Sequence, residues 1–148
     1  MNRRFLSLSP VRVLVALAVL CLTPLYATVD DALSFAHECA VPYVKQGFTI
    51  REDAWGGDLG VKDQKAVTAQ LFKGNEYWFC MATDVKGAVI NVHIYDSQGR
   101  LAESEAWQKG RFAAAKVVPR ATGTYYAIVT IEKSPQERTH WALVYGYR

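Results

Sequence analysis

From Gly47 to the C-terminus, apolar residues recur at every second position in short runs, and a turn signal separates each run from the next. A period of two places successive side chains on opposite faces of an extended chain, so each run predicts a strand with one buried face. The predicted strands are Phe48–Arg51, Ala66–Phe72, Glu76–Ala82, Val89–Tyr95, Leu101–Ala106, Phe112–Val118, Thr124–Glu132 and Trp141–Tyr147. The punctuation between them is Trp55-Gly56-Gly57, Lys73-Gly74-Asn75, Lys86-Gly87, Ser97-Gln98-Gly99, Lys109-Gly110, Ala121-Thr122-Gly123 and Ser134-Pro135. No helical crossover separates these strands. The pattern therefore predicts an all-β fold, an antiparallel jelly-roll-like β-sandwich of seven or eight strands.

Residues Thr28 to about Val41 read differently. Thr28 with Asp31 has capping-box form, Ala32, Phe35, Ala36 and Cys39 recur at helical spacing, and Pro42 is expected to end the helix. This short N-terminal helix has a use. The strand containing Tyr77, Phe79 and Met81 is also apolar on its other face, at Trp78, Cys80 and Ala82. Tyr126 and Ile128 make a second doubly apolar strand. An antiparallel strand with one wet side does not need two apolar faces. The helix is expected to cover the face that carries Cys80.

The chain opens with Arg3, Arg4 and Arg12, an apolar run from Val13 to Leu22, Pro24 and the small-residue site Leu25-Tyr26-Ala27. This is the order of a secretory leader, too short in its apolar core to be a permanent membrane span. The expected organisation is leader 1–27, helix 28–46 and sandwich 47–148, in a periplasmic or secreted protein. The chain carries 17 Lys and Arg against 14 Asp and Glu, and the leader holds three arginines and no acid, so the remainder balances at 14 to 14. A neutral domain lacks the excess of cations that nucleic acid or an anionic membrane surface requires. No nucleic-acid partner is expected, and no membrane association once the leader is gone. In an oxidising compartment Cys39 and Cys80 are the natural pair for a disulfide closing a loop of roughly 40 residues, contributing on the order of 4 kcal/mol.

Four segments, taken in order, resemble the bacterial pre-peptidase C-terminal domain. They are Leu71-Phe72-Lys73-Gly74-Asn75-Glu76-Tyr77-Trp78-Phe79, then Val92-His93-Ile94-Tyr95-Asp96-Ser97-Gln98-Gly99, then Thr122-Gly123-Thr124-Tyr125-Tyr126-Ala127-Ile128-Val129, and the closing Trp141-Ala142-Leu143-Val144. The resemblance implies a jelly-roll-like sandwich that accompanies secreted hydrolases and does no chemistry itself. It covers roughly residues 65 to 147. The chain departs from that pattern in lacking a catalytic partner domain, in its acid-poor Asp84–Ala88 turn, and in carrying the helix and the cysteine pair.

Chemistry-bearing constellations are few. His37, His93 and His140 are scattered without ligand spacing, and Asp58, Asp63, Asp84 and Asp96 sit near turns without an ordered calcium loop, so neither metal nor cofactor is expected. Glu103 and Glu105, two residues apart on a predicted strand, are the one pair fit for acid–base catalysis of a small hydrolase. Trp55 and Trp107 fall outside the periodic core positions. They either plug the ends of the sandwich or serve as ligand-binding residues, stacking on a polysaccharide or anchoring a protein partner. The leading expectation is a non-catalytic binding module. Its alternatives are a hydrolase using Glu103 and Glu105, or an inhibitor of envelope or extracellular enzymes presenting a loop at Asp53–Gly60.

Overall fold

The computed structural model describes residues 28–148, so the leader expected over residues 1–27 lies outside the described residues. One helix, α1 (Val29–Lys45), precedes eight strands: β1 (Thr49–Gly60), β2 (Gln64–Leu71), β3 (Tyr77–Ala82), β4 (Val89–Asp96), β5 (Glu103–Lys109), β6 (Phe112–Val117), β7 (Gly123–Lys133) and β8 (Arg138–Tyr147). They form a five-stranded sheet in the order β1-β8-β3-β6-β5 and a three-stranded sheet in the order β2-β7-β4, with every pairing antiparallel. Only the β5–β6 hairpin stays within one sheet; all other connections cross between sheets. The result is the expected sandwich.

The alternation read from the sequence is the alternation of the core. Tyr77, Phe79 and Met81 of β3 and Trp141, Leu143 and Tyr145 of β8 meet Ile90, Val92 and Ile94 of β4 and Tyr125, Ala127, Val129 and Ile131 of β7 between the sheets. Positive φ angles at Gly74, Gly87, Gly99 and Gly110 confirm four of the predicted turns as places where only glycine sits without strain.

A second core lies on the outer face of the wide sheet. There α1 buries Ala32, Ala36, Cys39, Ala40 and Tyr43 against Trp78, Cys80, Ala82, Ala114, Ala142 and Val144. The residues beneath the helix are mostly small, which lets the helix sit close. Gly56 shows how close: a Cβ there would stand 2.6 Å from Val29 Cγ1 and 3.1 Å from the Trp141 carbonyl oxygen. The apolar second face of β3 is thus explained by the helix. Tyr126 and Ile128 are not; they lie half-buried on the outer face of the narrow sheet.

Three expectations are corrected here. Pro42 does not end the helix, which runs on to Lys45. The ring removes the N–H that would bond Glu38, but Pro42 and Glu38 both lie on the exposed face, where water can serve the orphaned carbonyl. Tyr43, one residue later, is held by a stack on Trp78 with ring centroids 4.1 Å apart. Tertiary packing outweighs the break.

The second correction concerns Asp53–Gly60, expected as a loop. It is the body of β1, paired with β8 from Ala54↔Val144 to Gly60↔Arg138. Gly56 and Gly57 adopt no positive φ; Gly56 makes room for Val29 and the Trp141 backbone, while Gly57 faces the Trp141 indole.

The third concerns the cysteines. The fold brings Cys39 and Cys80 together under the helix, but both are free thiols. Cys80 hydrogen-bonds Cys39, and that bond, with burial, pushes its pKa well above the usual thiol range. Cys39 Sγ in turn lies 3.9 Å from the Ala113 carbonyl oxygen. A buried thiol held protonated is a poor nucleophile for disulfide exchange.

The capping box holds in part. The Thr28 hydroxyl accepts the Asp31 N–H at 3.1 Å and donates to the Asp31 carboxylate at 2.9 Å, while the Thr28 N–H goes to Asp84 Oδ2 at 3.1 Å. At the far end Arg148 donates to the Gln46 carbonyl at 2.8 Å and pairs with Glu76 at 2.7 Å, tying the helix exit to the last residue of the chain.

Tyr43 is the pin of this second core, and burial pushes its phenol up to about 12 against a partly opposing hydrogen bond from Trp107. The folded state favours the neutral phenol. Its contribution is therefore complete below pH 10 and is lost as pH rises from 10 through about 12. Chemical denaturation across that range is expected to show stability declining with a slope of up to one proton, and Tyr43→Phe should flatten the decline. Tyr43→Ala, which also deletes the ring, is expected to cost about 3 kcal/mol at neutral pH.

Candidate functional site

Glu103 and Glu105 do not act together. Their strand carries an extra residue: Glu103 pairs with Val117, yet Glu105 pairs with Lys116, so Ser104 is a bulge. A bulge reverses the inside–outside parity of everything beyond it. Glu103 therefore shares the inter-sheet face of Val117, while Glu105 shares the helix-side face of Lys116. Glu103 is also fully engaged. Its Oε1 lies 2.7 Å from His93 Nδ1 and its Oε2 accepts the Ile94 N–H at 2.8 Å. Its side chain is only 9% exposed. This carboxylate fastens β5, the last strand of the wide sheet, onto β4, the edge of the narrow one. His93 points away from the core as its register requires, and it is half-exposed.

The two tryptophans part company. Trp107 lies on the helix side of β5, opposite Ala114, and its indole Nε1 donates to the Tyr43 hydroxyl at 2.6 Å. It packs half-buried against the helix–sheet core. Trp55 lies on the inner face of β1, opposite Leu143, with its ring 5.4 Å from that of Tyr145.

Trp55 borders a groove of about 520 Å³. The groove follows from the unequal sheets. Strands repeat about every 4.8 Å, so a five-stranded sheet overhangs a three-stranded one by roughly 10 Å. At one edge β4 lies under β5 and β6, with Glu103 as the fastener; at the other, β1 and β2 stand apart. Inner-face aromatics of the overhang fill the gap: Trp55, Tyr77, Tyr145 and Tyr147, with half-exposed Phe72 at the rim. The Tyr77 hydroxyl accepts N–H donors from Phe72 at 3.0 Å and Asn75 at 3.2 Å. Arg51 and Asp53, in an irregular stretch of β1, pair across 3.5 Å beside the groove. Burial raises the pKa of Tyr145, partly offset by the charge of Arg51.

A second hollow of about 720 Å³ lies at the opposite, fastened edge, between the β4–β5 turn and the β6–β7 connection. The turn is rigid: Asp96 Oδ1 accepts the N–H groups of Gln98 and Arg100 at 2.9 and 3.0 Å, and Oδ2 pairs with Arg100 Nε at 2.9 Å. That network holds the Asp96 carboxyl below its usual range, the backbone bond from Arg100 leading. Two large apolar side chains stand out beside this hollow, Leu101 at 59% and Val118 at 46% exposed. Arg120 is exposed on the adjoining connection, and among the described residues it forms no ion pair. Residue spacing carries no signal for either hollow, except that Trp55 is already a candidate.

The four turn acids do not form one cluster, though two of them meet at Arg138. Asp58 pairs with Arg138 at 2.8 Å, Asp63 with Arg138 at 3.7 Å, Asp84 binds the Thr28 N–H and Asp96 binds its own turn. Among the described residues no three His, Cys, Asp or Glu side chains are grouped to hold a metal ion. No described helix is long and apolar enough to cross a membrane.

No protein-family model matches the chain, and no curated protein matches it. Among solved structures it is similar to PliG of Aeromonas hydrophila, a periplasmic lysozyme inhibitor of g-type lysozyme, with a TM-score of 0.50 and 12% identity. The match spans 70% of this chain and 90% of that one. At this identity the likeness is one of fold.

The assignment of Glu103 as a fastener is open to direct test. Glu103→Ala is expected to lower stability by about 2 kcal/mol, because it leaves the Ile94 N–H and His93 without their partner. Glu105→Ala, at an exposed position, should change stability by less than about 0.5 kcal/mol in the same denaturation measurement.

Proposed function

We propose that this chain is a non-catalytic, secreted or periplasmic binding protein that inhibits an extracellular or envelope hydrolase. The observation that carries this reading is the exposed pair Leu101 and Val118, the first beside the rigid β4–β5 turn, next to Arg120, which forms no ion pair among the described residues. Exposed apolar side chains on a stiff scaffold, accompanied by arginine, have the composition of a protein-docking centre. A stiff turn also loses little conformational freedom on binding, which favours affinity.

Arg120 suggests the class of hydrolase. Glycoside hydrolases work with two carboxylates flanking the scissile bond, and a free guanidinium on a projecting connection complements that charge. The fold shared with the lysozyme inhibitor PliG supports the same choice, and the resemblance to pre-peptidase C-terminal domains agrees on a secreted domain without chemistry of its own. Engagement of both Glu103 oxygens within the fold speaks against the hydrolase alternative. With Asp53–Gly60 paired as β1, the inhibitory surface is assigned to the Leu101–Arg120 edge. A polysaccharide ligand held by both tryptophans is disfavoured, since Trp107 bonds Tyr43.

Titration of the protein against g-type lysozyme clearing a peptidoglycan suspension tests this reading, with c-type and i-type lysozymes in parallel. Loss of activity at near-stoichiometric protein is expected for at least one of them. Leu101→Ser and Arg120→Glu are each expected to weaken inhibition about tenfold or more. Full activity of all three enzymes in the presence of excess protein would reject lysozyme inhibition.

A further inference from the structure

The two sheets have four lateral edges, and three of them are blunted. β1 leaves register between Ile50 and Ala54, with Arg51, Glu52 and Asp53 in succession. β5 is bulged at Ser104. Over the second half of β4 the outer backbone groups are taken: the Ile94 N–H by Glu103, the Ile94 carbonyl by the Ala102 N–H at 2.8 Å, and the Asp96 N–H by the Arg100 carbonyl at 2.9 Å. Bulges, charges and covering groups are the usual devices that stop a sheet from adding strands. β2 has the least of them: one charge, Lys65, near its start, and neither a bulge nor a covering group. It pairs with β7 in unbroken register from Gln64 to Leu71, and among the described residues no backbone hydrogen bond is made to its other side. Its edge at Thr68–Gln70 forms one wall of the aromatic groove.

We propose that β2 is a receptor strand: an extended segment of a partner polypeptide adds to its free edge and places an uncharged aromatic or large aliphatic side chain in the groove between Trp55 and Phe72. A row of free N–H and carbonyl groups at strand spacing matches a polypeptide backbone, and a neighbouring pocket selects one side chain of the added strand. The groove calls for an uncharged side chain because Arg51 and Asp53 neutralise one another beside it. A second copy of β2 is a poor occupant. Its outward side chains, Ala66, Thr68 and Gln70, are too small to fill about 520 Å³, while Val67, Ala69 and Leu71 are committed to their own core. This inference is independent of the hydrolase reading, since the groove and the Leu101–Arg120 surface lie at opposite edges of the sandwich.

Panning the protein against a displayed library of linear twelve-residue peptides, then measuring amide exchange by NMR with a selected synthetic peptide, tests the proposal. Enriched peptides are expected to carry an aromatic or large aliphatic residue amid β-branched neighbours. On binding, the β2 amides that face away from β7 should gain about tenfold or more protection. Trp55→Ala and Phe72→Ala should each weaken the peptide about tenfold. Because Phe72 is 52% exposed, its variant keeps the fold even if the Trp55 variant does not. The proposal is overturned if no peptide is enriched, or if the selected peptides bind without altering β2 exchange or without sensitivity to Phe72→Ala. Concentration-dependent dimerisation that protects β2, or an N-acetylglucosamine tetramer filling the groove where peptides do not, would overturn it equally.

Discussion

Two sheets of unequal width cannot cover one another, and the rest of this structure follows from how the overhang is managed. A three-stranded sheet facing a five-stranded one leaves about two strands of inner surface without a partner sheet. At one edge the problem is solved with polar groups: Glu103 reaches from the bulged β5 to His93 and the Ile94 N–H, fastening the wide sheet to the narrow one. At the other edge no fastener exists, and large aromatics spread into the gap instead. The fastened edge carries stiff, projecting turns. The open edge carries a groove with an unbulged strand beside it.

The helix answers a separate demand of the wide sheet. Its central strands β3 and β8 are apolar on both faces, and leaving the outer face wet would expose Trp78, Cys80, Val144 and several alanines. Small residues on both sides allow the helix to approach closely, and Tyr43 locks its end by stacking on Trp78 while accepting the Trp107 N–H. These contacts carry the helix past Pro42 and bring two cysteines side by side without joining them. Burial and the hydrogen bond to Cys39 raise the pKa of the Cys80 thiol, and packing rather than a covalent link holds the helix in this structure.

Side chains that would serve a catalyst are spent on architecture: Glu103 fastens edges, Asp96 rigidifies a turn, Asp84 caps the helix and Asp58 pairs with Arg138. Among the described residues, other groups stay uncommitted at the surface. Leu101, Val118 and Phe72 are exposed apolar groups, Arg120 is a free cation, and β2 offers a free backbone edge. Such groups gain most from being covered by another macromolecule, and the proposed binding role rests on them.

Periodicity by itself determined the class of fold, most of the strands, four glycine turns and the membership of the inter-sheet core, because alternation of side chains is a local property of an extended chain. It also pointed to a cover over Cys80, although the same signal at Tyr126 and Ile128 met no such cover. Tertiary structure alone decided the rest. Gly56 and Gly57 read as a turn until a helix and an indole demanded space above a strand; Glu103 and Glu105 share a face only if no residue is inserted between them, and parity is lost at Ser104 because of how β5 meets β6. Trp55 and Trp107 look alike in sequence, yet one borders a groove and the other lies beneath a helix, because the sheets differ in width and the helix packs only on the outer face of the wide sheet. Local pattern sets which side a residue faces; which partner waits on that side is set by contacts between strands and helix far apart in the chain.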